Sequence, residues 1–381
     1  MKRTVYQSDH EDFRAVAREF VTRTILPSLE KWQEQRFIDR AAWREAGAQG
    51  LLGLPVPGAY GGGESGDYRF QAVLGEELAR SAYGVHSSFS LHYDIVSPYL
   101  LELTTDEQKQ RWLPGFVSGE QVWAIGMSEP SVGSDLAALR TRATRDGDSF
   151  VLNGSKTFIT NGYLADRTIV AASTTPGGRS KGISLFVVEE GTPGFERGRK
   201  LDKIGQHEAD TAELFFTDVR LPADALIGEL DRGFVHMRHG LAQERLSVAI
   251  GSLAHAKQLF VETLVYVKDR QAFGQPVGSF QANKHRIAEL ATRLDVTQSF
   301  LDDCLRLHVA GELQGPDAAR AKWWATSTQN EVLDACLQLH GGYGYMREYR
   351  ISQAWVDARV GAIWAGSNEI MKEIIGRDLG L

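Results

Sequence analysis

The stretch from Gly240 to Ile250 carries a carboxylate, Glu244, where helical spacing surrounds it with small and apolar residues. Three and four residues away on the same face lie Gly240, Leu241, Ser247 and Val248, with Met237 and Gly251 further along it. One reading is a solvated or ion-paired Glu, with Arg245 or another basic neighbour at a rim as its partner. The other is a desolvated carboxylate with space for a ligand beside it. Burial would push the pKa of such a group toward neutrality, which a general base requires. Spacing alone leaves both readings open.

The elements that must hold Glu244 follow from the hydrophobic period. Helical patterns cover about Gly233–Arg270, Ser279–Leu313, Gly315–Leu339 and Gln353–Val360, and a last helix opens at Ser367 as N-cap and ends near Gly376. Long helices with short polar links predict a four-helix bundle over 226–381. Residues 1–120 also read as helical. Ser8 with Glu11 fits a capping box, Pro27 bends or ends the first helix, and further helices are expected over Phe37–Leu51, Gln71–Ser81, His86–Leu103 and Thr105–Val117. Leu54–Gly63 is a loop by its Pro and Gly content, since no Gly-Lys-Ser/Thr follows its glycines.

Between the helical parts, 121–225 reads as strands: Val122–Met127, Arg140–Thr144, Phe150–Leu152, Lys156–Thr160, Thr168–Ala172, Ile183–Val188 and Ala212–Phe216. Asp146-Gly147 marks a turn and Asn153-Gly154 a hairpin. The expected class is therefore α+β: an N-terminal α-helical domain, a middle β-barrel-like domain and a C-terminal four-helix bundle.

A chain of 381 residues has the length for a large core. Its net charge of -7 argues against nucleic-acid binding as the main role, because phosphate neutralisation needs a basic surface. Cys304 and Cys336 form no metal-type spacing or disulfide framework, so no metal is expected. No apolar run approaches a membrane span, and none follows the basic pair Lys2-Arg3, so a soluble, cytoplasmic protein is expected.

Four motifs fall in this order of elements: Met127-Ser128-Glu129-Pro130-Ser131-Val132-Gly133-Ser134-Asp135, Asn153-Gly154-Ser155-Lys156-Thr157-Phe158-Ile159-Thr160-Asn161-Gly162, Asp269-Arg270-Gln271-Ala272-Phe273-Gly274, and Gln338-Leu339-His340-Gly341-Gly342-Tyr343-Gly344. With them the chain resembles the acyl-CoA dehydrogenases over essentially its whole length, and most the long-chain branch. Those are flavoenzymes that desaturate the α,β bond of acyl-CoA thioesters. The resemblance implies FAD as cofactor. It places Ile125, Met127, Ser128, Gly133 and Ser134 near the flavin and the start of the acyl-CoA site, and packs Phe158, Ile159 and Thr160 on the isoalloxazine. Trp is commoner in the family at the position of Phe158. Arg270 would meet the FAD pyrophosphate with a planar guanidinium, Phe273 and Gln281 the adenosine half. Gln338, Leu339, Gly341 and Gly342 would reach the same cofactor from a partner subunit, which implies a homo-oligomer, a tetramer built as a dimer of dimers.

Many members of this family carry the catalytic Glu in an aromatic-Glu-Gly-Thr/Ser motif before the last helix. Here that stretch is Trp364-Ala365-Gly366-Ser367, and a methyl group at Ala365 accepts no proton. In the long-chain and isovaleryl branches the base sits instead on the long helix after the β-domain, and Gln243-Glu244-Arg245-Leu246 matches the long-chain form. The resemblance therefore assigns Glu244 as the base that takes the α-proton while hydride leaves the β-carbon for flavin N5, with an electron-transferring flavoprotein as acceptor. It puts Ser134, Val235, Ala242, Gln243, Arg245 and Gly366 against the substrate, Ser367 and Glu369 near the flavin and thioester, and the backbone N–H of Glu369 on the thioester carbonyl. Val235 departs from the Tyr of the long-chain form. Medium to long acyl chains are expected, and Phe89, Leu91, His92 and Tyr99 are either pocket wall or plain core. Two rival readings are a non-catalytic acyl-CoA or flavin binder, motivated by Ala365, and an acyl-CoA oxidase, against which the chain length stands.

Overall fold

Amphipathic helical segments at both ends and β-rich segments between them fold around shared cores. A computed structural model describes residues 3–381 and, of His239, the backbone only. The first region holds α1 (Ser8–Phe20), α2 (Leu29–Gln35), α3 (Arg40–Ala48), α4 (Arg69–Ser81), α5 (Tyr83–Ser90), α6 (Ser97–Glu102) and α7 (Asp106–Ser118). Two π-helical stretches interrupt it, Val21–Ile25 and Leu91–Val96, the second joining α5 to α6. Such wide turns redirect side chains and are frequent at functional sites.

The sheet has eight strands: β1 (Trp123–Gly126), β2 (Arg142–Asp146), β3 (Ser149–Thr160), β4 (Arg167–Ser173), β5 (Ile183–Glu189), β6 (Phe195–Lys200), β7 (Thr211–Pro222) and β8 (Leu226–Ile227). Their order is β6-β7-β3-β2-β4-β5-β8, with β1 paired in parallel to β4. The last region is α8 (Gly233–Asp269), a short hairpin of β9 (Gln271–Ala272) and β10 (Gln275–Pro276), α9 (Gln281–Val309), α10 (Gly315–His340), α11 (Arg350–Ala358) and α12 (Asn368–Asp378). Ser367 caps α12 by accepting from the Ile370 N–H at 3.4 Å.

Several local expectations are corrected. Asn153-Gly154 is no hairpin: β3 runs through it against β7, with a bulge between Leu152 and Gly154. The side chain of Asn153 bonds Asp218 on β7 in both directions, at 2.9 and 3.1 Å, so the residues that signal a turn serve a bulge instead. Gly154 has φ +143, and a Cβ there would lie 2.6 Å from Thr141 Oγ1 and 2.7 Å from its Cα. Gly154→Ala is expected to cost about 2 kcal/mol, read as a lower urea midpoint; an unchanged midpoint refutes the strain argument. The capping box sits one residue earlier than read, with Gln7 as N-cap, whose N–H donates to His10 Nδ1 at 3.1 Å. α3 is shorter than Phe37–Leu51, and β6 and β8 are strands the pattern did not show. The segment of β6 is mostly charged and pairs only with β7, and β8 is two residues long.

One apolar core joins all three regions. Val96, Tyr99 and Leu100 from the first, Trp123, Ile169, Leu185 and Ile227 from the sheet, and Met237 from α8 pack in it together. A second core joins Tyr68 and Ala72 to the bundle, through Leu246, Ala249 and Leu253 of α8. The helix that carries Glu244 is thus clamped on both sides.

Candidate active site

Glu244 is 9% exposed, with Ser247, Val248 and Met237 buried around it. Tyr99 from α6 donates its hydroxyl to Glu244 Oε1 at 3.3 Å. Burial pushes the Glu244 carboxyl up to about 7, against the pull of the Arg245 charge and the Tyr99 hydroxyl, and the Asp94 carboxylate adds to the rise. The ion-paired reading fails on geometry. Arg245 makes no ion pair among the described residues, and its Nε is buried without a partner. Gly240 lies beside the pair: a Cβ there would stand 3.6 Å from Glu244 Oε1 and 3.7 Å from the Tyr99 hydroxyl, an ordinary contact. The neighbouring Gln243 is engaged elsewhere, donating to Asp94 O at 2.9 Å and to Asp94 Oδ1 at 2.7 Å. Burial lifts the Asp94 carboxyl to about 6 although Ser247, Gln243 and Tyr68 donate to it.

The turn before α12 is tied to the same neighbourhood through α10. Lys322, fully buried, donates its ammonium to Gly366 O at 2.8 Å and to Asn368 Oδ1 at 3.1 Å. Burial brings Lys322 down to about 7, helped by Arg245 and opposed by Glu369. Ala365 and Gly366 both take positive φ, +50 and +82, in the turn before α12.

A second cluster lies at the sheet. Phe158 has φ +60, a left-handed backbone that an aromatic residue rarely takes, and its ring is 70% exposed. Strain of this kind persists where surrounding structure enforces it, and it gathers at ligand sites. Ile159 beside it is buried in the sheet core, whereas Thr160 is half-buried. Ile125, Met127 and Ser128 are half-buried along and after β1, and Gly133 and Ser134 are exposed in the loop beyond. A buried ion pair holds this loop: Lys156 Nζ donates to Glu129 Oε1 at 2.9 Å and to Met127 O at 3.0 Å. Glu129 also accepts the N–H of Arg140 and of Thr141, at 2.6 and 2.9 Å.

The third cluster is at the far end of α8. Arg270 caps that helix, and its guanidinium lies 5.4 Å from the centre of the Tyr343 ring. Phe273 is 97% exposed, and Gln281, Gln338, Gly341 and Gly342 are exposed as well. Leu339 is half-buried. The Gly341–Tyr345 turn packs on α10 and α11, and the hairpin on α8, so this cluster belongs to the bundle and not to the sheet. A cleft of about 1090 Å³ opens among Arg36, Lys203, His207, Arg350 and Asp357, and Glu244 is not in its wall.

Three family models match in order: the acyl-CoA dehydrogenase N-terminal domain over residues 7–120, its middle domain over 124–219 and its C-terminal domain over 231–380. The chain belongs to the acyl-CoA dehydrogenase family. It is 47% identical over 379 residues to the mitochondrial long-chain specific acyl-CoA dehydrogenase of Mus musculus, covering 99% of this chain and 88% of that one. Among solved structures it is similar to an acyl-CoA dehydrogenase from Geobacillus kaustophilus, at TM-score 0.97 and 45% identity, with 99% of each chain covered. A glutaryl-CoA dehydrogenase from Mycobacterium smegmatis in complex with FADH2 superimposes at TM-score 0.92 and 28% identity, over 98% of this chain and 95% of that one.

For an acyl-CoA dehydrogenase the geometry sorts the residues singled out in the sequence. Glu244, Arg245 and the Gly366 turn are brought into one neighbourhood by Lys322. Val235 is 47% exposed two turns of α8 earlier, and Ala242 is half-buried. Of the four candidate pocket residues, Phe89 stacks on Trp43 at 4.2 Å and His92 on Phe116 at 3.9 Å, so these two are core, while Tyr99 reaches Glu244. Lys322 and the Glu129–Lys156 pair were not read from sequence. Their one signal is a Lys inside an alanine-rich helical stretch, Ala318-Ala319-Arg320-Ala321-Lys322, and inside a strand. Among the described residues no group of three or more His, Cys, Asp or Glu is placed to hold a metal ion.

Proposed function

We propose that this acyl-CoA dehydrogenase carries out FAD-dependent α,β-dehydrogenation of medium- to long-chain acyl-CoA thioesters to trans-2-enoyl-CoA, with Glu244 as the base. The carrying observation is a buried carboxylate near neutrality on α8, met by the Tyr99 hydroxyl and without an ion-pair partner among the described residues. The exposed, strained Phe158, the open backbone at Gly133 and the guanidinium of Arg270, which makes no ion pair among the described residues, fit a flat aromatic group with a pyrophosphate. When bound, FAD accepts hydride from the substrate β-carbon. Ile125, Met127, Ser128, Gly133, Ser134, Phe158, the Ile159 backbone and Thr160 would hold its ring half. Arg270 would hold its pyrophosphate and Phe273 and Gln281 its adenosine half, and Gln338, Leu339, Gly341 and Gly342 would reach the same cofactor from a second subunit. Ser134, Val235, Ala242, Gln243, Arg245 and Gly366 are assigned to the substrate, and Ser367 and Glu369 to the thioester end. There the Glu369 N–H, at the start of α12, points positive charge toward a developing enolate oxygen.

The same reading includes a homotetramer, an electron-transferring flavoprotein as acceptor, cytoplasmic placement and the three-part division at 120 and 225. Among the described residues no helix is long and apolar enough to cross a membrane, and the mouse relative is named as mitochondrial. The test is an anaerobic titration of the purified protein with acyl-CoAs of graded length, followed by loss of the yellow flavin colour. Bleaching by medium and long chains supports the reading. A yellow protein that no acyl-CoA bleaches supports a non-catalytic binder, and steady peroxide production without an acceptor an oxidase. Arg270→Gln is expected to weaken FAD retention by about tenfold or more with an unchanged melting profile of the apoprotein; retention equal to the parent removes Arg270 from the cofactor site.

A further inference from the structure

We infer that Tyr99 is a positioning residue for the reaction: its hydroxyl engages one oxygen of the Glu244 carboxylate, leaves the other for the substrate, and favours the ionised form. This rests on the reading of Glu244 as the base, and extends it to a residue on another element.

Tyr99 is buried on α6, just after the π-helical stretch Leu91–Val96 and Pro98. Its hydroxyl, 3.3 Å from Glu244 Oε1, is the one hydrogen-bond donor to that side chain among the described residues. The separation is that of a loose contact, of the kind that tightens when substrate closes a site. Gly240 lies under the pair. A Cβ at this position would be in ordinary contact with Glu244 Oε1, Tyr99 Cε2 and the Tyr99 hydroxyl, all between 3.6 and 3.7 Å.

The chemistry follows from which oxygen is occupied. With the hydroxyl on Oε1, Oε2 is the oxygen left to accept the substrate α-proton. A donor to a carboxylate favours its charged form, so Tyr99 opposes burial. Among the described residues the other charged groups that act on the site are these. Arg245 on α8 also favours the carboxylate, and Asp94 from the π-helical stretch opposes it. Lys322 on α10 acts on Arg245, and Glu369 on α12 acts on Lys322. Without the phenol, burial and Asp94 gain ground, and Glu244 holds its proton to higher pH.

The experiment measures kcat and kcat/KM against pH for the FAD-loaded parent, Tyr99→Phe and Glu244→Gln, and titrates the Glu244 carboxyl by infrared difference spectroscopy without substrate. In Tyr99→Phe the acidic limb and the infrared titration are expected to move about one unit upward, with about fivefold less activity at pH 7 and near-parent kcat on the alkaline plateau. A merely structural Tyr99 would lower activity equally at every pH and leave both titrations in place, which overturns the inference. Turnover in Glu244→Gln would overturn the base itself; a dead Glu244→Gln beside an unmoved limb in Tyr99→Phe overturns only Tyr99. Should Tyr99→Phe fail to fold, a ring-fluorinated tyrosine placed at 99 keeps the shape and donates more strongly. It is expected to move the limb downward, and an unmoved limb counts against the inference.

Discussion

Glu244→Gln is expected to lose turnover by about a thousandfold or more while keeping its fold and its FAD, because the amide fills the same space and accepts no proton. The same substitution has a second consequence, in stability. The ordinary value for a Glu is 4.5 and burial holds Glu244 at about 7, so between these values the native state binds more protons than the unfolded chain. Stability of the parent therefore falls as pH rises from about 4.5 to 7, and the whole penalty, of order 3 kcal/mol, is present above pH 7. Glu244→Gln lacks that penalty. It is expected to melt higher than the parent at pH 8 and close to it at pH 5. An inactive variant that melts below the parent at alkaline pH would mean that the native carboxylate is well solvated, and the raised basicity would have to be abandoned.

Lys156→Met carries the second large effect. The Lys156 side chain is fully buried and that of Glu129 is 3% exposed, so removing the ammonium leaves a carboxylate in the sheet core with only two backbone donors. Burial alone would raise the Glu129 carboxyl, and it is Lys156 and those donors that hold it below its usual value. Burial in turn brings Lys156 down to about 8, so both groups are charged at neutral pH. A loss of about 3 to 5 kcal/mol is expected in urea melts, with most of it recovered when Glu129→Gln is added, since a neutral pair leaves no stranded charge. FAD should be held more weakly in the single variant, because Lys156 also ties down Met127 O in the proposed ring site. If the double variant is as unstable as the single one, packing and not charge governs the position.

The class of fold was legible because both periods are strong here. α8, α9 and α10 keep a helical repeat over many turns, and β3 to β5 are dense in branched and aromatic residues. What escaped was local. Asn-Gly reads as a turn, and only the partner strand β7, far away in sequence, turns it into a bulge. The charged β6 has no alternation to betray it. At the site, Glu244 showed itself as a carboxylate among small residues, but its partner could not be read. Tyr99 lies 145 positions away on another element, with Phe89 and His92 equally plausible beforehand. Lys322 and Lys156 escaped for the same reason, since a lysine is ordinarily solvated and its burial is set by tertiary neighbours.

The apolar core shared by Tyr99, Trp123 and Met237 has a further consequence. Proton acceptor, its phenolic neighbour and the edge of the sheet are mounted on a single packed unit, so none is free to melt by itself. Heat should therefore take the molecule apart in one sharp transition seen alike by tryptophan emission and by far-ultraviolet dichroism. The excised sheet, stripped of its helical flanks, would expose Trp123, Ile169 and Leu185 and aggregate instead of folding alone.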